Sequence, residues 1–578
     1  MKKLSAIVIV SLVFACHSPK IISENSNLNP YEYKIQKKFI GSEGAVVSAH
    51  SLASKVGAEI LKQGGNAVDA AIATQLALAV VYPAAGNIGG GGFMVARLEN
   101  GKTFTIDYRE MAPLHADRDM YLDEKGNAQT DKSQDGHLAS GVPGTVAGLF
   151  AAAEYSRLPF KKLIQPAIDL AEKGFVISER EARSLNYLQD DLKKFNTISN
   201  AFQKDKWKGG DTLIQKDLAK TLIRIRDQGK KGFYEGETAD LIVAEMKRGD
   251  GIITPQDLKN YKAKFREPHV FNYKGYQIIG MPMPSSGGVL VNQMMKMIED
   301  RNIATMGFQS AASVQLMTEV ERRAFADRAE FMGDADFYKV PVKMMTSDQY
   351  LKGRMQDFVA GVAGNSNQVR PGVIPKESEE TTHLSVIDKD GNAVAVTTTL
   401  NNSYGSRTVV GGAGFFLNDE MDDFSVKPGV PNMYGAIGGE ANAISPGKRM
   451  LSSMTPTIVL KDNKSFLIIG TPGGTTIPTS VFQTLVNILE FNMSAEDAVY
   501  KPKFHHQWLP DSLEIEKGFP ETVRSELGKM GYKIQPRSSI GRTELIEISW
   551  VTDPVKNSLV RRIEAIADNR GEDDAEGY

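Results

Sequence analysis

The feature that most constrains the fold is residues 379–401, where apolar and other residues alternate on both sides of a glycine-containing turn at Asp388–Asn392. Alternation of this kind is typical of two half-buried strands joined by a tight connection. The stretch therefore predicts a β-hairpin. Its first strand begins at the threonine pair Thr381 and Thr382.

Small polar side chains are dense at the ends of both predicted strands. The second strand closes with three threonines and, after Leu400, with Asn401. Side chains that lie opposite one another across a hairpin can hydrogen-bond. Threonine is also a good strand former in general. The pattern alone therefore leaves a structural and a functional interpretation open.

Bulk composition excludes several classes of protein. The chain has 578 residues with 41% hydrophobic content, enough for one large core or two, so it is not disordered. Lys and Arg number 68 against 70 for Asp and Glu, and this near balance gives no indication of nucleic acid or an anionic membrane surface as a partner. One cysteine excludes an internal disulfide framework and a cysteine-rich metal site. We expect a small-molecule partner.

The N-terminus is typical of an exported protein. Lys2 and Lys3 precede a short apolar run, which predicts a signal peptide over residues 1–15, followed by a polar linker over 16–30. Val13–Cys16 resembles the lipobox of bacterial lipoproteins, in which Cys16 would carry the lipid. Alternatively, Cys16 is only an apolar residue of a segment cut by an ordinary signal peptidase. We expect a periplasmic or outer-membrane-anchored protein.

Three further patterns concern the scaffold. Residues 51–61 and 66–80 have helical spacing, and the second helix is apolar almost all round, so we expect it inside the domain. The glycine run at 86–93 lacks the Lys-Ser/Thr of a phosphate loop, which favours close backbone packing over nucleotide binding. Residues 361–380 show no hydrophobic periodicity, which predicts an exposed loop.

A strand at 465–469, a turn with Gly473 and Gly474, and a helix follow one another late in the chain. Two glycines before a helix N-terminus leave backbone amides unobstructed, which suits an oxyanion hole. The same geometry is compatible with glycines that only make the turn. The adjacent His505 and His506 would point to opposite faces of a strand, so we interpret them as structural and predict no metal site.

Several dense motifs resemble, in order, the γ-glutamyltransferases, also called glutathione hydrolases, from about Gly41 to the C-terminus. The motifs are 64–71 (GGNAVDAA), 107–113 (DYREMAP), 140–144 (SGVPG), 281–288 (MPMPSSGG), 381–397, 421–424 (MDDF), 451–454 (LSSM) and 471–474 (TPGG). The resemblance implies an α/β (α+β) N-terminal-nucleophile hydrolase with an αββα four-layer sandwich. It also implies self-cleavage between Glu380 and Thr381 into a large subunit, 31–380, and a small subunit, 381–578.

The resemblance assigns a role to each matched residue. Thr381 would be the nucleophile, with Thr399 as its hydrogen-bond partner, and Gly473 and Gly474 would form the oxyanion hole. Tyr434 would be the lid over the acyl-enzyme. The α-carboxylate would be bound by Arg109, Ser452 and Ser453, and the α-amino group by Asn401, Glu420 and Asp423. Without the resemblance, Asp422–Asp423 would be interpreted as a solvated turn and Ser452–Ser453 as a loop. No role follows for residues 281–288.

A threonine hydroxyl needs a base, and cleavage would supply one. The freed α-amine of Thr381, with a reference pKa of about 7.7–8.0, suits that task near neutral pH. A Ser-His-Asp triad is disfavoured because no Gly-x-Ser-x-Gly elbow appears in a strand-turn-helix context.

We therefore expect an enzyme that transfers the γ-glutamyl group of glutathione or a relative to water, an amino acid or a peptide, without a cofactor. One alternative is a cephalosporin or glutaryl acylase of the same superfamily. Another is a non-catalytic lipoprotein that binds γ-glutamyl peptides.

Overall fold

The computed structural model describes residues 28–369, 380–427, 439–553 and 557–578. The predicted signal peptide, Cys16, most of the predicted linker and Tyr434 lie outside these ranges. Across the described ranges, no helix is long and apolar enough to cross a membrane.

Nineteen strands occur in the described residues: β1 (Lys38–Gly41), β2 (Ala45–Ser48), β3 (Gly91–Arg97), β4 (Thr103–Asp107), β5 (Phe175–Val176), β6 (Thr212–Leu213), β7 (Lys264–Arg266), β8 (His269–Tyr273), β9 (Tyr276–Gly280), β10 (Glu380–Ile387), β11 (Ala393–Asn401), β12 (Thr457–Lys461), β13 (Lys464–Gly470), β14 (Phe504–His505), β15 (Leu513–Glu516), β16 (Ile534–Arg537), β17 (Glu544–Asp553), β18 (Ser558–Ile566) and β19 (Asp574–Gly577).

The α-helices of the same residues are α1 (Ser51–Lys62), α2 (Ala67–Val81), α3 (Asp131–Gln134), α4 (Thr145–Ala152), α5 (Phe160–Lys173), α6 (Glu179–Tyr187), α7 (Gln189–Phe195), α8 (Lys216–Gln228), α9 (Lys231–Tyr234), α10 (Gly236–Arg248), α11 (Pro255–Asn260), α12 (Gly287–Ile298), α13 (Ile303–Met306), α14 (Ala311–Phe331), α15 (Val342–Met345), α16 (Asp348–Arg354), α17 (Thr476–Leu489), α18 (Ala495–Tyr500) and α19 (Glu521–Met530).

Two seven-stranded antiparallel sheets form the centre of the molecule. The first sheet has the order β19-β2-β10-β11-β3-β4-β7 and the second has the order β1-β18-β17-β13-β12-β9-β8. Their facing sides share one apolar cluster that includes Val47, Val95 and Ile468. Helices α1, α2 and α5 pack on the outer side of the first sheet, and α12, α14 and α17 pack on that of the second. The predicted αββα sandwich is confirmed.

The predicted hairpin is formed by β10 and β11, in register from Thr381–Thr399 to Ile387–Ala393. The expectation that its strands are half-buried is wrong, because every residue of β11 is buried. The hairpin lies at the centre of its sheet, with α2 on one face and the second sheet on the other. The apolar and hydroxyl side chains of the hairpin therefore point into two buried regions, one against α2 and one against the second sheet.

The glycine run contacts backbone, as predicted. A Cβ at Gly86 would lie 2.2 Å from the carbonyl oxygen of Leu78, and one at Gly90 would lie 2.2 Å from that of Thr399. Real Cβ atoms do not approach backbone so closely, so only glycine fits at these positions. The run brings the end of α2 against the end of β11.

The loop before Thr381 differs from its prediction. Ser366 and Val369 are buried, and the indole nitrogen of Trp508 donates hydrogen bonds of 2.9 Å to both of their carbonyl oxygens. Trp508 belongs to the predicted small subunit. This part of the predicted exposed loop is therefore fixed to the other side of the predicted cleavage site, while residues 370–379 lie outside the described residues.

Candidate active site

Thr381 lies at the start of β10, directly opposite Thr399 on β11, and both are almost fully buried. The register shifts between Glu380 and Thr381, so that Glu380 pairs with Asn401. Asn401 has φ = 79° and its amide donates to Oγ1 of Thr399 at 2.7 Å. Irregular pairing of this kind is common beside active sites. It falls here on the peptide bond that is predicted to be cut.

The turn with Gly473 and Gly474 follows β13, which packs against β10. A Cβ at Gly470 would lie 2.2 Å from the ring of His383, two residues after Thr381. Gly473 and Gly474 have φ of 134° and 54°, and Oγ1 of Thr476 donates to the carbonyl oxygen of Gly473 at 2.7 Å. In the described part of the chain, neither glycine amide donates to another group of the protein. Both are suited to bind an oxyanion.

Arg109 follows β4 and is 1% exposed. Its guanidinium contacts the carboxylates of Glu420 and Asp423, and Nη2 also donates to the carbonyl oxygen of Leu451 at 3.4 Å. Burial alone would lower the pKa of Arg109, but Glu420, Asp423 and Glu110 together raise it. The guanidinium therefore stays charged in a closed environment.

The acidic residues lie on a buried 3-10 helix, Glu420–Asp423, so the alternative of a solvated turn is wrong. The amide of Asp419 donates to the carbonyl oxygen of Leu400 at 3.0 Å, and Nδ2 of Asn401 donates to that of Asp419 at 3.1 Å. These bonds fix the acids beside the end of the nucleophile hairpin. Burial is the main cause of the raised pKa values of Glu420 and Asp423.

Ser452 and Ser453 are buried, 2% and 1% exposed, and are held by the motif at 281–288. The amide of Ser452 donates to the carbonyl oxygen of Pro284, and its own carbonyl accepts from Ser286. Oγ of Ser453 has no hydrogen-bond partner among the described residues. The motif without a predicted role thus positions these serines, and Ser453 has a buried hydroxyl available to a ligand.

Sequence reasoning missed two charged neighbours of this cluster. Glu110 is fully buried beside Arg109, and burial raises its pKa to about 8. Arg328, on α14, donates from Nε to Oγ of Ser286 at 3.0 Å, and burial lowers its pKa to about 10. Glu110 directly follows Arg109 in a recognised motif, which was a usable signal. Nothing in the sequence pattern connects Arg328 to the site.

The histidine pair is buried and bonded within the protein. Nδ1 of His505 pairs with Thr479 at 2.9 Å, and Nε2 of His506 lies 3.3 Å from Asp511. Among the described residues, no group of three or more His, Cys, Asp or Glu side chains is arranged to hold a metal ion.

Comparison with known proteins identifies the family. A family model described as Gamma-glutamyltranspeptidase matches residues 53–578. The chain is 47% identical over 511 residues to the glutathione hydrolase proenzyme of Escherichia coli strain K12, a match that covers 88% of each.

Two solved structures are similar to this one. The cephalosporin acylase from Bacillus halodurans has a TM-score of 0.80 at 23% identity, covering 96% of this chain and 99% of that one, which shows the fold alone. Helicobacter pylori gamma-glutamyltranspeptidase is 42% identical with a TM-score of 0.55, over 59% of this chain and 96% of that one. The chain belongs to the γ-glutamyltranspeptidase family of N-terminal-nucleophile hydrolases.

Proposed function

We propose that this chain is a proenzyme that cuts itself before Thr381 and then transfers the γ-glutamyl group of glutathione and related compounds to water, an amino acid or a peptide. One observation carries the proposal. Thr381 faces Thr399 in a hairpin whose end is hydrogen-bonded to the segment that carries Glu420 and Asp423, and whose first strand, β10, packs against β13, the strand that leads to Gly473 and Gly474. These connections support a nucleophile, an amino-acid binding site and an oxyanion hole in one region of the molecule.

Thr381 acts twice in this mechanism. Its Oγ first attacks the carbonyl carbon of Glu380, the peptide C–N bond breaks, and water hydrolyses the resulting ester to leave Thr381 with a free α-amine. In turnover, that amine takes the hydroxyl proton as Oγ attacks the γ-carbonyl of the donor. The proton passes to the leaving nitrogen as its C–N bond breaks, and water or an acceptor amine then attacks the γ-glutamyl ester.

The buried cluster fits the zwitterionic head of the donor. Arg109, with Ser452 and Ser453, would bind the α-carboxylate, because a guanidinium forms paired charge-assisted bonds to a carboxylate. Glu420 and Asp423, with Asn401, would bind the α-ammonium. A glutaryl group has no ammonium and would bring no positive charge to these buried acids, which share the single guanidinium of Arg109, so the geometry favours a γ-glutamyl donor over a glutaryl one.

Mass spectrometry and N-terminal sequencing of the purified full chain test the proposal. We expect two fragments, with the smaller beginning at Thr381, and release of glutamate from glutathione. Thr381→Ala should stay uncut and inactive, whereas Thr381→Ser keeps a hydroxyl and should still be cut, more slowly. An uncut wild-type chain that binds γ-glutamyl compounds without turnover would contradict the proposal and support a binding lipoprotein.

The proposed location is the periplasm or the outer membrane, with Cys16 carrying a lipid. The Lys-Lys-apolar-Cys order of residues 2–16 supports this. Metabolic labelling with a fatty acid should mark the wild-type protein but not Cys16→Ala. An unlabelled wild-type chain cut elsewhere by a signal peptidase would contradict lipidation. The role of Tyr434 as a lid is likewise a proposal, since that residue lies outside the described ranges.

A further inference from the structure

The turn that carries the proposed oxyanion hole is held by the two threonines that follow it. The amide and the hydroxyl of Thr476 both donate to the carbonyl oxygen of Gly473, at 3.0 and 2.7 Å. Thr475 directly follows Gly474 and is 2% exposed, and its hydroxyl donates to Oε1 of Gln507 at 2.7 Å. Gln507 therefore holds the turn from outside, on the side of Gly474.

The side-chain amide of Gln507 is buried and bonded at both ends. Its Oε1 accepts from Thr475 and lies 3.0 Å from Nε2 of His505, and its Nε2 donates to the carbonyl oxygen of Leu509 at 3.2 Å. Turning the amide over would place its oxygen against that carbonyl oxygen, so these contacts fix its orientation. Gln507 is thus a fixed acceptor for the hydroxyl of Thr475.

His505 completes this arrangement as a neutral ring. Burial lowers the pKa of His505 from 6.5 to about 4, so only one ring nitrogen carries a proton. Because Oε1 of Gln507 can only accept, that proton lies on Nε2 and points at Gln507. Nδ1 then accepts from the hydroxyl of Thr479 on α17, 2.9 Å away. The turn and the helix after it are therefore bonded to the same segment at two places, Thr475 and Thr479.

The segment that carries Gln507 is itself fixed by two helices. The amide of Phe504 donates to the side chain of Gln483 on α17 at 3.2 Å, and the carbonyl oxygen of Phe504 accepts from it at 2.6 Å. The amide of His506 donates to the carboxylate of Glu321 on α14 at 3.0 Å. Because α14 also holds the segment, Gln507 does not simply follow the turn, and its bond to Thr475 restrains the turn.

This restraint matters because the turn has little of its own. An oxyanion hole lowers a barrier only when its donors are already in place before the charge develops. Gly473 and Gly474 have φ of 134° and 54° and no side chains that could lock them, and glycine is the residue with the most backbone freedom to lose. A misplacement of about 1 Å can cost about a hundredfold in rate.

We propose that Gln507, oriented by His505, is a positioning residue for the reaction and acts through Thr475 to hold the amides of Gly473 and Gly474 where the oxyanion forms. In this role Gln507 contacts the turn and no part of the substrate. The inference rests on the proposed function, because it assigns what keeps the oxyanion hole of that reaction in place.

The test compares two substitutions of Thr475. Valine keeps the shape of threonine without the hydroxyl, whereas serine keeps the hydroxyl. For Thr475→Val, we expect kcat to fall about 10- to 30-fold with little change in KM, for glutathione and for γ-glutamyl-p-nitroanilide alike, because a displaced turn stabilises the oxyanion less. Thr475→Ser should stay within about threefold of the wild type. Each kcat is expressed per mole of N-terminal Thr381, so that slower self-cleavage does not lower it.

A double-mutant cycle tests whether Gln507 acts through this bond. Gln507→Leu should lower kcat as Thr475→Val does, and the double variant should lose no more than either single variant, because both remove the same contact. Where Gln507→Leu does not fold, the two substitutions of Thr475 decide the question alone.

Gln189→Leu on α7 is the matched control. Gln189 is 8% exposed, and its side chain bonds the carbonyl oxygens of Leu185 and Phe202 and the amide of Lys204 at 2.8 to 3.0 Å. The same substitution there also removes buried hydrogen bonds, so it should lower Tm and leave kcat unchanged.

The outcomes separate the two proposals. A wild-type chain that stays uncut or turns over neither donor contradicts the proposed function itself. A wild-type enzyme that turns over both leaves that function intact, and the positioning role is then overturned by any of three results: Thr475→Val with wild-type kcat, Thr475→Ser as slow as Thr475→Val, or losses that add up in the double variant.

Discussion

The two sides of Thr381 differ in how they handle charge. On the Arg109 side, Glu110, Glu420 and Asp423 each contact one guanidinium; Glu110 and Glu420 are fully buried, and the side chain of Asp423 is 8% exposed. On the other side, next to Gly473, lies a cavity of about 190 Å³ whose wall includes Tyr82, Arg180 and Arg542. Arg180 is exposed, and Arg542 lies 4.0 Å from the carboxylate of Asp573. One side is closed and its charges contact one another, whereas the other is a cavity lined by four arginines and two glutamates with an exposed arginine.

The difference shows how one site can be strict for one half of a substrate and tolerant of the other. Buried charges without partners are costly, so the closed side accepts only a head that replaces every contact it breaks. An open cavity keeps its charges solvated and discriminates weakly. We therefore expect substitutions on the closed side to affect all donors, and substitutions on the open side to affect only some.

The largest effect is expected for Arg109→Gln. Loss of the guanidinium would remove the proposed paired bonds to the donor carboxylate, so kcat/KM should fall about a thousandfold for glutathione and for γ-glutamyl-p-nitroanilide alike. It also leaves three buried acids with less positive charge, at a cost of about 3–5 kcal/mol in the free energy of unfolding. Kinetics with both donors and thermal unfolding measure the two effects. A loss confined to one donor would contradict the division into two sides.

A smaller effect is expected for Gly473→Ala, between the two sides. Its φ of 134° disfavours a side chain, and the new Cβ would lie 2.4 Å from Oγ1 of Thr476. Displacement of one oxyanion donor should lower kcat about a hundredfold for both donors, with little change in KM. Gly353→Ala on α16 is the control, because nothing lies within 4 Å of its Cβ position. A large change in KM instead would indicate that the turn serves binding.

Local sequence patterns predicted several strands and helices of this fold, where the packing of an element follows from its own pattern. Alternation around the turn at 388–392 predicted β10 and β11, and helical spacing predicted α1 and α2. The same alternation could not show that β11 is covered on both faces, because the second cover comes from a sheet formed by distant strands. The lack of periodicity in residues 361–380 likewise could not show that Ser366 and Val369 are buried against Trp508, because Trp508 follows them by more than a hundred residues in the sequence.

Most of the candidate site was predictable only by resemblance. Physical pattern alone supported Gly473 and Gly474, and it gave Asp423 and Ser453 no role. The structure brings these residues together with Arg109 from segments that no local pattern relates. The Arg542 cavity was not anticipated, because Tyr82, Arg180 and Arg542 come from three distant parts of the chain and each is unremarkable in its own sequence context.

The smallest effect concerns the pH dependence of stability on the closed side. Asp422 is 4% exposed next to Asp423, and burial raises its pKa from 3.8 to about 7 despite bonds from Ser133 and Gln134. The folded state therefore holds this proton where the unfolded state has released it. Stability falls as pH rises from about 4 to 7 and the loss is complete above that range.

Asp422→Asn removes this titration and keeps an acceptor for Ser133, so it should raise Tm at pH 8 by about 3 °C and leave Tm at pH 4 nearly unchanged. Asp336→Asn is the opposite case. Arg266 and Lys264 lower the pKa of Asp336, which stabilises the fold above the unfolded pKa, so this variant should lower Tm at pH 8 and change it less as the pH falls below 4. Thermal unfolding across this pH range measures both. If Asp422→Asn lowered Tm at pH 8, the acids of the closed side would be ionised and balanced by charge, and closure alone would not explain the strictness of this side.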